Sequence, residues 1–316
     1  MGLSNYVRFL LHTRVTGRSV KTQGGSVTKL LATLCFGFAL APLAAAQGQY
    51  LDDYIIRIKP EKRVDFDAVS RKIAEANRKA KGDAFIAFER IYGADYTAMF
   101  VSQRQNYAAI EEGGKAFMSA INEAYGVGGM KKMMMDATPA VQSAFGRLRI
   151  RRPDLSSNAP KDAAAYNKLV GSARFLRTTE YHVRAGRAPE FEKLSMQVKE
   201  AYDKNSEYPP VLVSQAVAGV SGTIYYVSTL APSMATFDSS PSVRKLVGEE
   251  EYMRLSNGIA ECVDSSETSI FRMVPEWSNP PKEVADVAPD FWHPKAVSMA
   301  QPKPKTKPVE AAKAGQ

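Results

Sequence analysis

Several arginines, one histidine, one acid and a pair of tyrosines fall where strand alternation turns them to one side of a sheet. In "YIIRIK" (54–59) an apolar face of Tyr54, Ile56 and Ile58 leaves Ile55 and Arg57 pointing the other way. In "YHVRAG" (181–186) Tyr181, Val183 and Ala185 leave His182 and Arg184. In "RLRIRR" (147–152) Leu148 and Ile150 leave Arg149 and Arg151. Glu89 in "AFIAFERIYG" and Gln215 in "VLVSQAVAG" hold matching places in two similar segments, and "TIYYVS" adds Tyr225 and Tyr226. A guanidinium turned into a packed interior must meet an acid or a bound anion. The set therefore predicts a site for a small anionic or aromatic ligand, lined by Arg57, Glu89, Arg149, His182, Arg184, Gln215 and Tyr225. His182 and a tyrosine are its proton carriers if it does chemistry. Glu89 faces a neutral counterpart in Gln215, so the inward charges sum to a basic interior. The alternative is structural: Arg57 pairs with Glu89, Arg184 with Glu180, and His182 is a half-exposed strand residue.

Other chemistries lack their residues. Beyond residue 46 there are two histidines, His182 and His293, and one cysteine, Cys262, with no zinc-like spacing. The glycines of "YGVGG" (125–129) and "GVSG" (219–222) do not follow a strand and open a helix, as a phosphate loop must. No serine stands in a nucleophile elbow. No metal and no cofactor is expected.

The elements that must position these side chains come in two sets. "PDLSSNAPKD" (153–162) returns as "PEWSNPPKE" (275–283). Backward from each, a strand, a helical stretch (107–125; 243–263), and a pair of strands joined by a glycine turn recur. Before them Phe66, Val69, Ile73 and Ala76 form an amphipathic stripe that Phe191, Leu194, Val198 and Ala201 repeat at a constant shift of 125. One more strand precedes each helix, and matching Tyr54 to Tyr181 gives a shift of 127, which makes Arg57 and Arg184 equivalents. Each set thus reads strand–helix–strand–strand–helix–strand, the split βαβ or ferredoxin-like pattern. The expected fold is α+β: two tandem ferredoxin-like βαββαβ repeats packed sheet to sheet as an intrachain α/β barrel. The divisions are 47–160 for the first repeat, 161–177 for a linker, 178–283 for the second repeat and 284–300 for a C-terminal extension. "DFWHP" (290–294) is read as an aromatic anchor for that extension. The methionine-rich "GGMKKMMMDATPAVQSAFG" of the first repeat is read as core filling.

In element order and duplication the chain resembles the dimeric α/β-barrel superfamily, in tandem single-chain form, over about 50–155 and 178–278. The resemblance implies the barrel, and among its functions cofactor-independent monooxygenases, haem-degrading enzymes and chlorite-dismutase-like haem proteins. Those haem proteins take their proximal histidine from a helix of the second repeat. Here 189–204 and 243–263 contain none, so no haem is expected. Three readings stay open: a ligand-binding protein, a cofactor-independent monooxygenase or isomerase, and a protein–protein interaction module with oligomers among its forms.

The ends set the location and the charge. Residues 1–46 have five basic residues, no acid, and an apolar run "LLATLCFGFALAPLAAA" ending in Ala-x-Ala. These features mark a signal peptide cleaved between Ala46 and Gln47, with export to the periplasm or beyond. The run is too short and too interrupted by Pro42 to anchor in a bilayer. Residues 301–316 are Pro/Lys/Ala-rich and read as a disordered basic tail. The chain has 42 basic and 33 acidic residues. Setting aside five basic residues in 1–46, and four lysines and one glutamate in 301–316, leaves 33 against 32. The folded part is near neutral, so the high pI does not argue for nucleic acid.

Overall fold

The computed structural model describes residues 49–293. The expected signal peptide, its cleavage point at Ala46 and Gln47, and the tail lie outside the described residues. The chain runs β1 (Tyr50–Ile58), α1 (Arg63–Lys79), β2 (Ile86–Tyr92), β3 (Thr97–Arg104), α2 (Tyr107–Tyr125), α3 (Gly129–Ala137) and β4 (Val141–Arg151). After α4 (Ala163–Ser172) come β5 (Phe175–Val183), α5 (Ala188–Asp203), β6 (Leu212–Ala218) and β7 (Thr223–Ala231). Then follow α6 (Ala235–Ser239), α7 (Val243–Val247), α8 (Glu249–Cys262), β8 (Val263–Met273), α9 (Lys282–Ala285) and α10 (Pro289–Trp292). The strands close an antiparallel barrel in the order β1-β3-β2-β8-β5-β7-β6-β4. Exchanging β1–β4 for β5–β8 reproduces the same order.

The register reproduces itself as well. Leu51 lies between Gln103 and Arg149, and Leu176 between Leu230 and Phe271. Glu89 lies between Ala98 and Arg272, and Gln215 between Tyr225 and Ile150. Both matches require β1 to map onto β5 with a shift of 125, the shift of the helix stripes, rather than the 127 that aligns the two tyrosines. Tyr181 therefore answers to Ile56, and Arg57 to His182. Arg184 lies past the end of β5 and is no strand equivalent of Arg57. A two-residue slip keeps every side chain on its own face, so alternation could not reveal it.

The recurrent phrase ends β4 and β8 in the same way. Each proline follows a strand that has just stopped, at Arg151 and at Met273. The serine directly after the Leu or Trp then stands in for a ladder partner. Ser156 Oγ accepts from the Val213 N–H at 2.9 Å and donates to the Arg152 carbonyl at 2.8 Å. Ser278 Oγ accepts from the Ala87 N–H at 2.9 Å and donates to the Val274 carbonyl at 2.7 Å. The next residue rejoins the neighbouring strand, Ser157 by Val211 and Asn279 by Phe85. Because Ser278 is fully buried, Ser278→Ala orphans the Ala87 N–H. The expected cost is about 1–3 kcal/mol in urea unfolding, and Ser156→Ala should match it.

Alternation divides the core. Ile56, Ile58 and Ala87 pack outward with Phe66 of α1 and Trp277. Val183, Val213 and Tyr225 pack outward with Phe191, Leu194 and Leu255. Ile55, Ile86, Phe88, Met99, Leu176, Leu230, Phe271 and Met273 point into the barrel. One end of that interior is closed by Tyr166 and Val170 of α4, so the expected linker 161–177 carries a helix of the core. Trp292 is fully buried against it and donates to the Gly171 carbonyl at 3.0 Å. The aromatic cluster near the end is thus an anchor, and Gly171 is small because a Cβ there would meet the Val284 carbonyl at 2.5 Å. The methionine stretch does not fill the core. Met130, Met133 and Met134 on α3 are half-buried, and Met135 is 65% exposed. Among the described residues no helix is long and apolar enough to cross a membrane.

Candidate functional site

The inward positions of β4 repeat at every second residue, so Arg147 and Arg149 share a face. The facing position on β1 is Asp53, the ladder partner of Arg147. Its carboxylate takes Arg149 Nε at 2.7 Å and a second Arg149 N–H at 2.8 Å, and Arg147 Nε at 2.8 Å. The Asp53 side chain has no exposure. Arg149 also donates to Ser214 Oγ of β6 at 3.0 Å. Both guanidiniums stack on the Tyr226 ring, at 4.2 Å for Arg147 and 5.0 Å for Arg149. Tyr226 faces Glu180 across the β5–β7 ladder. Glu180 approaches Arg147 at 3.6 Å and holds His182 Nε2 at 2.7 Å. A continuous polar path thus leads from the rim, where the His182 side chain is 42% exposed, to the dry Asp53.

Burial opposes the Arg147 cation, yet the charges of Asp53 and Glu180 and the Asp53 hydrogen bond hold its pKa above the ordinary arginine value. The Tyr226 hydroxyl is buried without a hydrogen-bond partner among the described residues. Burial raises its pKa most, Arg147 pulls it back, Glu180 pushes it up again, and the result is about 12. It is a neutral donor at any physiological pH. Below about pH 10 the phenol is protonated folded and unfolded alike. Between 10 and 12 the unfolded chain loses that proton first, so stability falls with rising pH, by up to about 3 kcal/mol from this group. The alkaline loss measured by urea unfolding should be smaller in Tyr226→Phe than in the parent.

Of the residues singled out in the sequence, Arg149 and His182 belong to this path. Arg57 lies at the rim, half-exposed, paired with Asp95 at 2.8 Å. Arg184, equally exposed, pairs with Asp264 at 3.0 Å, not with Glu180. Glu89, Gln215 and Tyr225 face the helices. Glu89 binds Arg63 Nε at 2.6 Å and Arg272 Nε at 2.7 Å. Gln215 accepts from Arg152 at 2.9 Å, and Tyr225 donates to Glu192 of α5. Burial, then the Glu192 hydrogen bond and charge, raise the Tyr225 pKa. "IAF" in β2 is apolar on both faces, so alternation could not tell inside from outside there.

Two inward acids, Asp53 and Glu180, answer Arg147 and Arg149, so the expected basic interior narrows to Arg151. Arg151 keeps two buried N–H groups without hydrogen-bond partners and stacks on Tyr166 at 4.1 Å. Asp53 was legible: it precedes Ile55 by two residues, and an acid at an inward strand position is seldom buried unpaired. Beginning that strand at Tyr54 hid it. The apolar end of the barrel contains a cavity of about 50 Å³ between Leu51, Phe88, Tyr166, Leu230 and Met273. That is too small for an aromatic ligand at this end of the barrel. Among the described residues no group of three or more His, Cys, Asp or Glu is placed to hold a metal ion.

No protein-family model matches the sequence, and no curated protein matches it. Several solved structures match in shape. An anthrone oxidase-like protein has 11% identity and a TM-score of 0.47, over 74% of this chain and 94% of its own. A Fusobacterium nucleatum protein provisionally called a monooxygenase has 9% and 0.46, over 72% and 93%. A mutant chlorite dismutase from Candidatus Nitrospira defluvii has 8% and 0.42, over 78% and 97%. Likeness at this level says nothing of chemistry, and the barrel rests on the chain's own strand pairing.

Proposed function

We propose that the chain is an exported protein made by tandem duplication of a ferredoxin-like unit. We place its activity at the polar end of the barrel, where it binds a small phenolic or carbonyl compound and moves a proton. The observation that carries this is the buried, unpartnered Tyr226 hydroxyl, set against Arg147 and directly across from Glu180. A stranded donor beside a cation is built for an oxyanion. Glu180 accepting from His182 Nε2 leaves Nδ1 as the free base. A substrate O–H or C–H proton would pass to Nδ1. The electron pair would stay as a phenolate or enolate facing Arg147 and Tyr226. That step serves an isomerase, or, with dioxygen as second substrate, a cofactor-independent monooxygenase.

The test uses 4-nitrophenol, whose absorbance reports the bound phenolate. Saturable binding is expected. Tyr226→Phe should weaken it at least tenfold, and His182→Gln should weaken it as well. No saturable binding, or binding unchanged in both variants, rejects the site. A second reading, an interaction module, is favoured by the β2–β3 hairpin, which exposes Ile91, Tyr92 and Tyr96 by 38%, 63% and 54%. Concentration-dependent self-association that Tyr92→Ser abolishes would support it.

A further inference from the structure

Outside the barrel, between α1, the end of β8 and α10, lies a cleft of about 370 Å³. That is the low end of small-ligand pockets, roughly 300–1,000 Å³. Three guanidiniums line it, and each is held from behind. Glu89, 7% exposed, spends one oxygen on Arg63 Nε at 2.6 Å and the other on Arg272 Nε at 2.7 Å. Asp67 accepts from Arg71 Nε at 2.7 Å and from Trp277 Nε1 at 2.8 Å. Arg272 turns a second nitrogen to Glu89 at 2.5 Å, but an arginine has five N–H donors in a fixed fork, so each of the three keeps donors for the cleft. The floor is the apolar run Met273–Pro275, and Phe291 forms a wall. Asp67 itself shares the lining with two further acids, Asp290 and Glu276, the latter 3.8 Å from Arg71.

The duplicated architecture supplies an internal control. Under the shifts that superimpose the two halves, Arg63, Arg71 and Arg272 correspond to Ala188, Met196 and Ile150, and Glu89 to Gln215. At the equivalent place the second half holds a single arginine, Arg152, on Gln215 and Glu192, the counterparts of Glu89 and Asp67. The same strands and helices therefore form without three arginines and a buried glutamate there.

Charge and shape narrow the ligand. A free anion gains from the guanidiniums but meets Glu276 and Asp290. A free cation meets the reverse. We propose that the cleft binds a small zwitterion with an apolar arm, an amino-acid-like molecule. Its carboxylate sits on Arg71 and Arg272, its ammonium on Glu276 and Asp290, and its arm lies over Met273 against Phe291.

Calorimetric titration of the full chain with phenylalanine, phenylacetate and 2-phenylethylamine tests this, since the three share a benzyl arm and carry both charges, the negative one or the positive one. Phenylalanine should bind saturably and at least tenfold more tightly than either of the others. Arg71→Met should weaken it at least tenfold. Glu276→Gln should narrow the preference for phenylalanine over phenylacetate. Both side chains are on the surface, and melting curves will confirm that both variants fold. No saturable binding of any probe, phenylacetate binding as tightly as phenylalanine to the parent, or affinity unchanged in both variants overturns the proposal. The site is separate from the barrel mouth, so the 4-nitrophenol result neither rescues nor removes it.

Discussion

Replacing Asp53 with Ala should cost about 3–5 kcal/mol of stability, because it leaves two buried guanidiniums without their shared carboxylate. Arg147 and Arg149 side chains are only 9% and 8% exposed. Glu180 at 3.6 Å answers Arg147 only in part, and Ser214 offers Arg149 one neutral acceptor. Neither cation can reach water without opening the barrel. Asp53→Ala with Arg149→Met removes one of the stranded charges and fills its volume with apolar side chain. The double variant should regain at least half of the loss, the signature of an unpaired charge rather than of lost packing. Urea unfolding of parent, single and double variants measures both. A single-variant loss below about 1 kcal/mol would mean that the pairing contributes nothing net, as buried ion pairs sometimes do.

The network also shows what alternation can and cannot tell. The faces of β1, β4 and β5 were legible: Arg149 and His182 do point inward, and Tyr54, Ile56 and Ile58 outward. Equivalence between the halves needed a second coordinate. Matching Tyr54 to Tyr181 satisfied the face rule, yet the ladders place Ile56 opposite Tyr181 in the superposition. The helix stripes, at 125, carried the correct offset because a helical face tolerates no two-residue slip: such a slip turns the stripe by about 200°. The two interior acids escape alternation for a different reason. They lie outside the strand limits that the apolar pattern marks, since β1 and β5 each begin four or more residues earlier, which brings in Asp53 and Glu180. The cleft arginines were not legible at all. Arg63 and Arg71 sit on the polar side of an amphipathic helix, where a sequence offers no sign that Glu89 and Asp67 will gather them.

Trp277→Ala should destabilise the chain by a similar amount, about 3–5 kcal/mol. Trp277 is the aromatic of the repeated phrase and is fully buried. Its ring meets Phe66 edge-on at a centroid distance of 5.3 Å, carries the Arg63 guanidinium at 4.8 Å, and donates from Nε1 to Asp67 at 2.8 Å. Truncation opens a void between α1 and the end of β8 that Phe66, Ile58 and Ala87 line but cannot fill. Its counterpart Leu155 packs on Val183, Phe191 and Val213. Leu155→Ala should therefore cost about 2–5 kcal/mol, by the same mechanism with fewer contacts. The informative variant is Trp277→Leu, which writes the first phrase into the second. If the phrase serves only to end a strand and plug the helix layer, Leu should recover much of the loss from Ala. What it cannot restore is the bond to Asp67, which helps to aim Arg71. Trp277→Leu should thus retain most of the stability that Trp277→Ala loses, yet weaken phenylalanine binding in the arginine cleft. Unfolding and titration of the same three proteins separate the two roles.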